Sequence, residues 1–177
     1  VVIVDEAYVD FGGESVLRLV DKYENLLIVQ TFSKSRSMAG LRIGFAIGSA
    51  RLIQYLNDVK YSFNSYTMNQ LTLCLGAEAV RDDAYFKETC ARIIKTREQA
   101  RERLSELGFS SLDSRANFLF ITHPEYKAKE LYEALKREDI YVRYFDAPRI
   151  SNYLRVTVGT EEEMEAFYDF LRSYKAK

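Results

Sequence analysis

The chain has 177 residues, 47% of them hydrophobic and 14% aromatic, enough to bury a core as one medium domain or parts of two. Its 25 basic and 26 acidic residues leave a net charge of −1, which excludes the electrostatic footprint of a nucleic-acid binder or a membrane-surface protein. Two cysteines, Cys74 and Cys90, and one histidine, His123, have no metal-ligand spacing, so a disulfide framework or a zinc site is excluded and a reduced, cytoplasmic setting fits.

In chain order, VVIV (1–4) and LLIVQ (26–30) read as fully buried strands, and RIGFAIG (42–48) as a third. Between the first two, SVLRLVDKY (15–23) has helical spacing. Strand, helix and strand in so few residues predict an α/β unit with a mainly parallel sheet and flanking helices. Helices are expected over 50–59 and 67–80. The longest helical signal is YFKETCARIIKTREQARERLSELG (85–108), with a stripe through Phe86, Cys90, Ile93, Ile94, Arg97, Leu104 and Leu107 and a stop at Gly108.

After that helix the pattern changes. FSSL (109–112), NFLFIT (117–122), IYVRYF (140–145) and YLRVTVG (153–159) read as strands, and KAKELYEALKRE (127–138) and EEEMEAFYDFLRSYK (161–175) as helices. Strands with two helices on one face predict a small α+β domain. The boundary is placed near residue 81, giving segments 1–80 and 81–177. No apolar run approaches the ~18 residues that span a bilayer. The chain opens inside a strand at Val1 with no Met, so the expectation is the C-terminal portion of a longer protein.

Two stretches carry candidate chemistry. In VVIVDEAYVDF, an apolar strand ends in Asp5 and Glu6. Such acids hold Mg²⁺ in nucleotide hydrolases of the Walker-B type, balance the charge of an organic cofactor, or merely end a strand. The hydrolase reading also needs a G-x-x-x-x-G-K-[ST] loop, which this sequence lacks. In TFSKSRSMAGLRIGF (31–45), Lys34 lies just past a strand end, where α/β sheets place ligands, and Arg42 offers a planar fork suited to phosphate. A partly desolvated lysine there can act as a nucleophile; either cation alone is equally explained by a solvated loop.

Taken together, DEAY (5–8), TFSK (31–34), GLRIG (40–44) and RVTVG (155–159) resemble, in order, the motifs of the fold-type I, class I/II pyridoxal-phosphate aminotransferases. The resemblance runs over essentially the whole chain. AGLRIG, RANFLFI (115–121) and LRVTVGTEEEME (154–165) look most like the histidinol-phosphate aminotransferase subfamily. KYSFNSYTMNQ (60–70) departs from the subfamily's usual Pro-Tyr-Asn at Ser62 and Phe63, and SKSRSMAG lacks the more usual Ala-Phe after the lysine.

The resemblance implies the C-terminal part of a large pyridoxal-phosphate-binding domain over 1–80, followed by a small domain over 81–177 that begins with a long linking helix. It implies that Asp5 pairs with the cofactor's ring nitrogen, that Ala7 lies against the ring, and that Tyr8 bonds its phenolic oxygen. Lys34 would carry the cofactor covalently and, once freed, move the proton that defines transamination; Thr31, Ser33 and Arg42 would hold the cofactor phosphate. Arg155 would clamp a substrate anion, with Arg143 and Asn117 as further substrate contacts. Glu6 is expected to be a structural neighbour, and His123-Pro124 a surface turn. The implied partners are histidinol phosphate and glutamate/2-oxoglutarate, in a homodimer, with the isolated 177-residue chain inactive. Other class I/II aminotransferases (aromatic or aspartate), threonine-phosphate decarboxylase-like enzymes and a non-catalytic scaffold are the alternatives.

Overall fold

The computed structural model describes residues 1–174; Lys175, the last residue of the expected C-terminal helix, lies outside the described residues. The chain divides into two compact units, Val1–Cys90 and the remainder from Ala91.

In the first unit, β1 (Val2–Asp5), β2 (Leu26–Thr31) and β3 (Gly44–Gly48) form a sheet in the order β1-β2-β3. β1 and β2 are parallel, with Asp5 opposite Val29. β2 and β3 are antiparallel, with Thr31 opposite Gly44, so the expectation of a mainly parallel sheet is corrected for this half of the pairing. The reason lies in the connection. A parallel neighbour needs a crossover, usually a helix, whereas the β2–β3 link contains only a 3-10 turn at Ala39–Leu41 and reverses the chain.

Two further expectations change. SVLRLVDKY is not an α-helix; it holds a 3-10 turn at Leu17–Leu19. Nine residues fall short of the roughly 12–15 at which propagation repays helix nucleation; the Glu6 carboxylate accepts the Ser15 hydroxyl and the Val16 N–H just ahead of the turn. VVIV is a strand but not a buried one: Val2 and Ile3 are 54% and 63% exposed, and among the described residues β1 pairs with β2 alone, at the edge of the sheet. β2, paired on both sides, buries Leu26, Leu27 and Ile28.

Three helices follow: α1 (Ala50–Phe63), α2 (Gln70–Arg81) and α3 (Asp83–Glu106). Ser49 and Asn69 cap the first two by accepting the N–H groups of Leu52 and Thr72. Asp82 ends α2 and starts α3, its carboxylate accepting from Tyr85 N–H. The division between the two units falls inside α3.

The second unit carries β4 (Ser110–Ser111), β5 (Phe118–Thr122), α4 (Ala128–Arg137), β6 (Arg143–Tyr144), β7 (Leu154–Thr157) and α5 (Glu161–Ser173). Its antiparallel sheet runs β4-β5-β7-β6. Strand alternation sends Leu119, Ile121, Leu154 and Val156 into a core with Leu131 and Leu135 of α4, Phe167 and Leu171 of α5, and Ala100 and Leu104 of α3. The opposite face keeps Phe118, Phe120 and Arg155, which is the face that matters below. Thr160 and Glu163 form a reciprocal capping box at the start of α5.

His123 is not on the surface. It is buried, stacked 4.0 Å from the Tyr126 ring and 4.7 Å from Phe109, and its Nδ1 accepts the N–H groups of Glu125 and Tyr126. The turn it introduces supplies the polar partners that allow burial. No cluster of metal-ligating side chains occurs among the described residues, and no helix among them is long and apolar enough to cross a membrane.

Candidate active site

Because β1 and β2 are parallel, Asp5 and Thr31 close the same end of the sheet. Past β1 the chain turns at once. Asp5 Oδ1 accepts the Ala7 N–H at 2.9 Å, and a 3-10 turn over Val9–Phe11 is anchored by the wholly buried Phe11. This turn brings the Tyr8 ring to 5.5 Å from Lys34 Nζ. Asp5 is exposed, and the turn bond engages one of its oxygens.

Beyond β2, residues 31–38 close into a loop. Thr31 Oγ1 accepts the Ser33 N–H at 3.0 Å and lies 2.9 Å from Ser33 Oγ. Ser37 N–H returns to Lys34 O and Met38 N–H to Phe32 O. Lys34 is exposed, and among the described residues its amine makes no hydrogen bond or ion pair. Phe32 N–H bonds Ile43 O, which brings the far end of the β2–β3 link, where Arg42 lies, back to the root of the lysine loop.

Arg42 has φ 57° and Ser37 φ 54°, left-handed conformations uncommon for residues other than glycine. Such backbone concentrates at ligand sites. The Arg42 guanidinium is exposed and donates one bond, to Ala39 O at 2.9 Å. Thr31, Ser33, Lys34 and Arg42 thus occupy one short loop, with Tyr8 beside it.

In the second unit, Phe120, Arg155 and Arg143 stand in one cross-strand row. The Arg155 guanidinium lies 5.2 Å from the Phe118 ring and 5.9 Å from Phe145, and Arg143 lies 5.4 Å from Phe145. Arg155 Nε is buried without a hydrogen-bond partner. A buried unsatisfied donor costs roughly 1–3 kcal/mol, and two adjacent guanidiniums repel; a bound anion relieves both. Asn117 leads into β5, with its carbonyl accepting Val158 N–H at 2.9 Å.

Three side chains support the site: Glu6 in the structural role expected of it, and Ser35 and Arg97, for which the sequence implied no such role. Glu6 is buried and accepts from Ser15 Oγ, Val16 N and Gln30 Nε2 at 2.7–2.8 Å, tying the β1 turn to β2. Ser35, also buried, donates to Asp10 at 2.5 Å and links the lysine loop to the tyrosine turn. Arg97, on the α3 stripe, is buried and donates to Ala116 O at 2.9 Å, fixing the loop before Asn117. A charged residue within an apolar helical stripe was the available signal for Arg97. Behind the lysine loop, burial raises the Cys90 thiol above its usual pKa; the Asp10 carboxylate adds to this and the Arg36 guanidinium opposes it.

The family model for aminotransferase class I and II matches residues 1–171, and the chain belongs to that family. Among curated relatives, the histidinol-phosphate aminotransferase of Brachyspira hyodysenteriae is 54% identical over 97% of this chain and 49% of its own length. The chain therefore spans about half the length of the curated relatives it matches. The crystal structure of the histidinol-phosphate aminotransferase from Clostridium acetobutylicum matches 96% of this chain and 52% of its own with a TM-score of 0.87 at 25% identity. That of the Sinorhizobium meliloti enzyme, in complex with pyridoxal-5'-phosphate, matches 97% and 48% with a TM-score of 0.82; at 20% identity it bears on the fold alone.

Proposed function

We propose that this chain is part of a pyridoxal-phosphate-dependent transaminase that converts L-histidinol phosphate and 2-oxoglutarate to imidazole-acetol phosphate and glutamate, a step of histidine biosynthesis. The observation that carries the chemistry is the Lys34 amine, which makes no hydrogen bond or ion pair among the described residues, 5.5 Å from the Tyr8 ring and on the same β2–β3 connection as Ser33 and Arg42, just past Thr31. The 54% identity to a curated histidinol-phosphate aminotransferase supports the substrate.

The donor set suits the cofactor. A carboxylate, a phenol, an amine and a guanidinium with two hydroxyls match a ring nitrogen, a phenolic oxygen, an aldehyde and a phosphate. When bound, pyridoxal phosphate supplies an electron sink for the substrate carbanion. Asp5 balances a positive ring nitrogen with its carboxylate, and Ala7 leaves room for the ring. Tyr8 donates to the phenolic oxygen. Thr31, Ser33 and Arg42 bind the phosphate by hydroxyl and charge-assisted bonds. Lys34 Nζ would hold the cofactor covalently and, once displaced by the incoming substrate amine, would be free to accept the proton from the substrate Cα.

Arg155, with its unsatisfied buried Nε, binds the substrate anion, and Arg143 and Asn117 assist it. The anion is a carboxylate in the glutamate half-reaction and a phosphate in the other. We assign 1–80 to the end of a large cofactor-binding domain and 81–177 to a small domain. The whole protein acts as a cytoplasmic homodimer, and the 177-residue chain alone is inactive because it spans half of its relatives' length.

Assays of the full-length protein across histidinol phosphate, phenylalanine, aspartate and threonine phosphate test this reading. Highest kcat/KM on histidinol phosphate, lost by about 10²–10⁴-fold or more in Lys34→Ala, is expected. Preference for another amine, or decarboxylation of threonine phosphate, would replace the substrate while keeping the chemistry. Activity surviving Lys34→Ala would overturn the chemistry itself.

A further inference from the structure

Lys34 lies on the loop that follows β2. A cavity of about 550 Å³ lies between this loop and α2 and α3, lined by Ser35, Arg36, Met38, Ala79, Tyr85 and Phe86 among others. The Arg36 side chain reaches both helices. The Arg36 guanidinium lies 4.0 Å from the Phe86 ring on α3 and 5.2 Å from the Phe32 ring on β2's end, and its Nη1 donates to Ala79 O on α2.

Each contact has a physical reason. Ala79 O is near the C-terminus of α2, where carbonyls lack an intrahelical partner and the helix dipole is negative, so a cation is favoured there. A planar guanidinium can stack on an aromatic face while its edge donates in plane, which an ammonium cannot do. Phe32, at the root of the lysine loop, is itself buried and meets Phe45 edge-on at 6.1 Å. Arg36 thus joins the base of the loop, the end of one helix and the start of the next.

We propose that Arg36 is a positioning residue for Lys34: it acts on the amine through the loop backbone and touches neither substrate nor cofactor. Ser35, bonded to Asp10, holds the other side of the same loop, so Lys34 is fixed by its two successors while its own side chain stays free to move. Transfer of a proton by Lys34 depends on the amine's placement, and displacements near 1 Å cost such steps up to about 10²-fold. The role of Lys34 rests on the reading above; the anchoring of the loop does not.

The test uses full-length protein as wild type, Arg36→Ala and Arg36→Lys. Hydrogen exchange of the cofactor-free proteins reads the anchor directly. Amides of residues 32–38 are expected to exchange about 10-fold faster or more in Arg36→Ala, with Arg36→Lys intermediate and residues 118–122 unchanged. In the loaded enzymes kcat is expected to fall about 10-fold or more while KM stays within about 3-fold, with partial recovery in Arg36→Lys. Wild-type exchange at 32–38 in both variants would overturn the anchor. Faster exchange with unchanged kcat in an enzyme that depends on Lys34 would overturn the positioning role. Faster exchange in a protein whose activity ignores Lys34 would support the anchor and reject the reading of the site. If Arg36→Ala does not fold, Arg36→Lys alone decides by the same two readouts.

Discussion

Removing the Glu6 carboxylate separates the two adjacent acids at the end of β1 into different jobs. Glu6 is 7% exposed and accepts three bonds, from Ser15 Oγ at 2.8 Å, Val16 N at 2.7 Å and Gln30 Nε2 at 2.8 Å. Hydrogen bonds to a charged group contribute about 1.5–3 kcal/mol each. Ser15 and Gln30 are only half-buried and recover water, so the net loss in Glu6→Ala is about 2–4 kcal/mol, a large share of the roughly 5–15 kcal/mol that holds a domain folded. Asp5 is exposed and makes one local bond, to Ala7 N–H, so Asp5→Asn is expected to change stability by no more than about 1 kcal/mol. Urea unfolding of both full-length variants, paired with turnover of the folded fraction, reads the difference. Glu6→Ala should lose stability and keep turnover per folded molecule, and Asp5→Asn should do the reverse. Glu6→Ala within about 0.5 kcal/mol of wild type would refute the hydrogen-bond reasoning.

Arg155→Lys keeps the charge but loses the planar fork, so kcat/KM for the anionic substrates is expected to fall about 10–100-fold in steady-state assays. Gly108 closes α3 at φ 84°, and a Cβ there would lie 2.8 Å from His123 Nε2. Gly108→Ala is therefore expected to destabilise the protein by about 1–3 kcal/mol, measured by denaturant midpoint. The Cys90 thiol is raised by burial, so less thiolate forms at neutral pH; alkylation should be slower than for a free cysteine, rise only at higher pH, and accelerate on unfolding.

Periodicity and turn chemistry were sufficient for most elements. The α5 helix was legible in the apolar pattern of EEEMEAFYDFLRSYK, and the fold adds a capping box between Thr160 and Glu163 at its start. The helical spacing over 15–23 does not produce an α-helix because the stretch is too short to repay nucleation and closes as a 3-10 turn at Leu17–Leu19. β3 was found but its direction was not, because direction depends on how the 32–43 link folds rather than on the strand's own residues. VVIV reads as buried since apolar runs do not disclose which edge of a strand is paired. At the site, residue order was legible and support was not. The family resemblance singles out Lys34, Tyr8 and Arg42 as candidates, whereas the bonds from Arg36 to Ala79 and from Ser35 to Asp10 join residues 43 and 25 positions apart. His123 was assigned to the surface from its neighbour Pro124; the aromatic cage of Phe109 and Tyr126 that buries it is assembled only in the fold.

The central claim is that Lys34 is the residue that holds the cofactor. Borohydride reduction of the full-length protein loaded with pyridoxal phosphate, followed by peptide mapping, measures this directly. The account predicts a pyridoxyl label on the peptide containing Lys34 and its loss in Lys34→Ala. A label fixed to another lysine in the wild-type protein, with Lys34 unmodified, would contradict it.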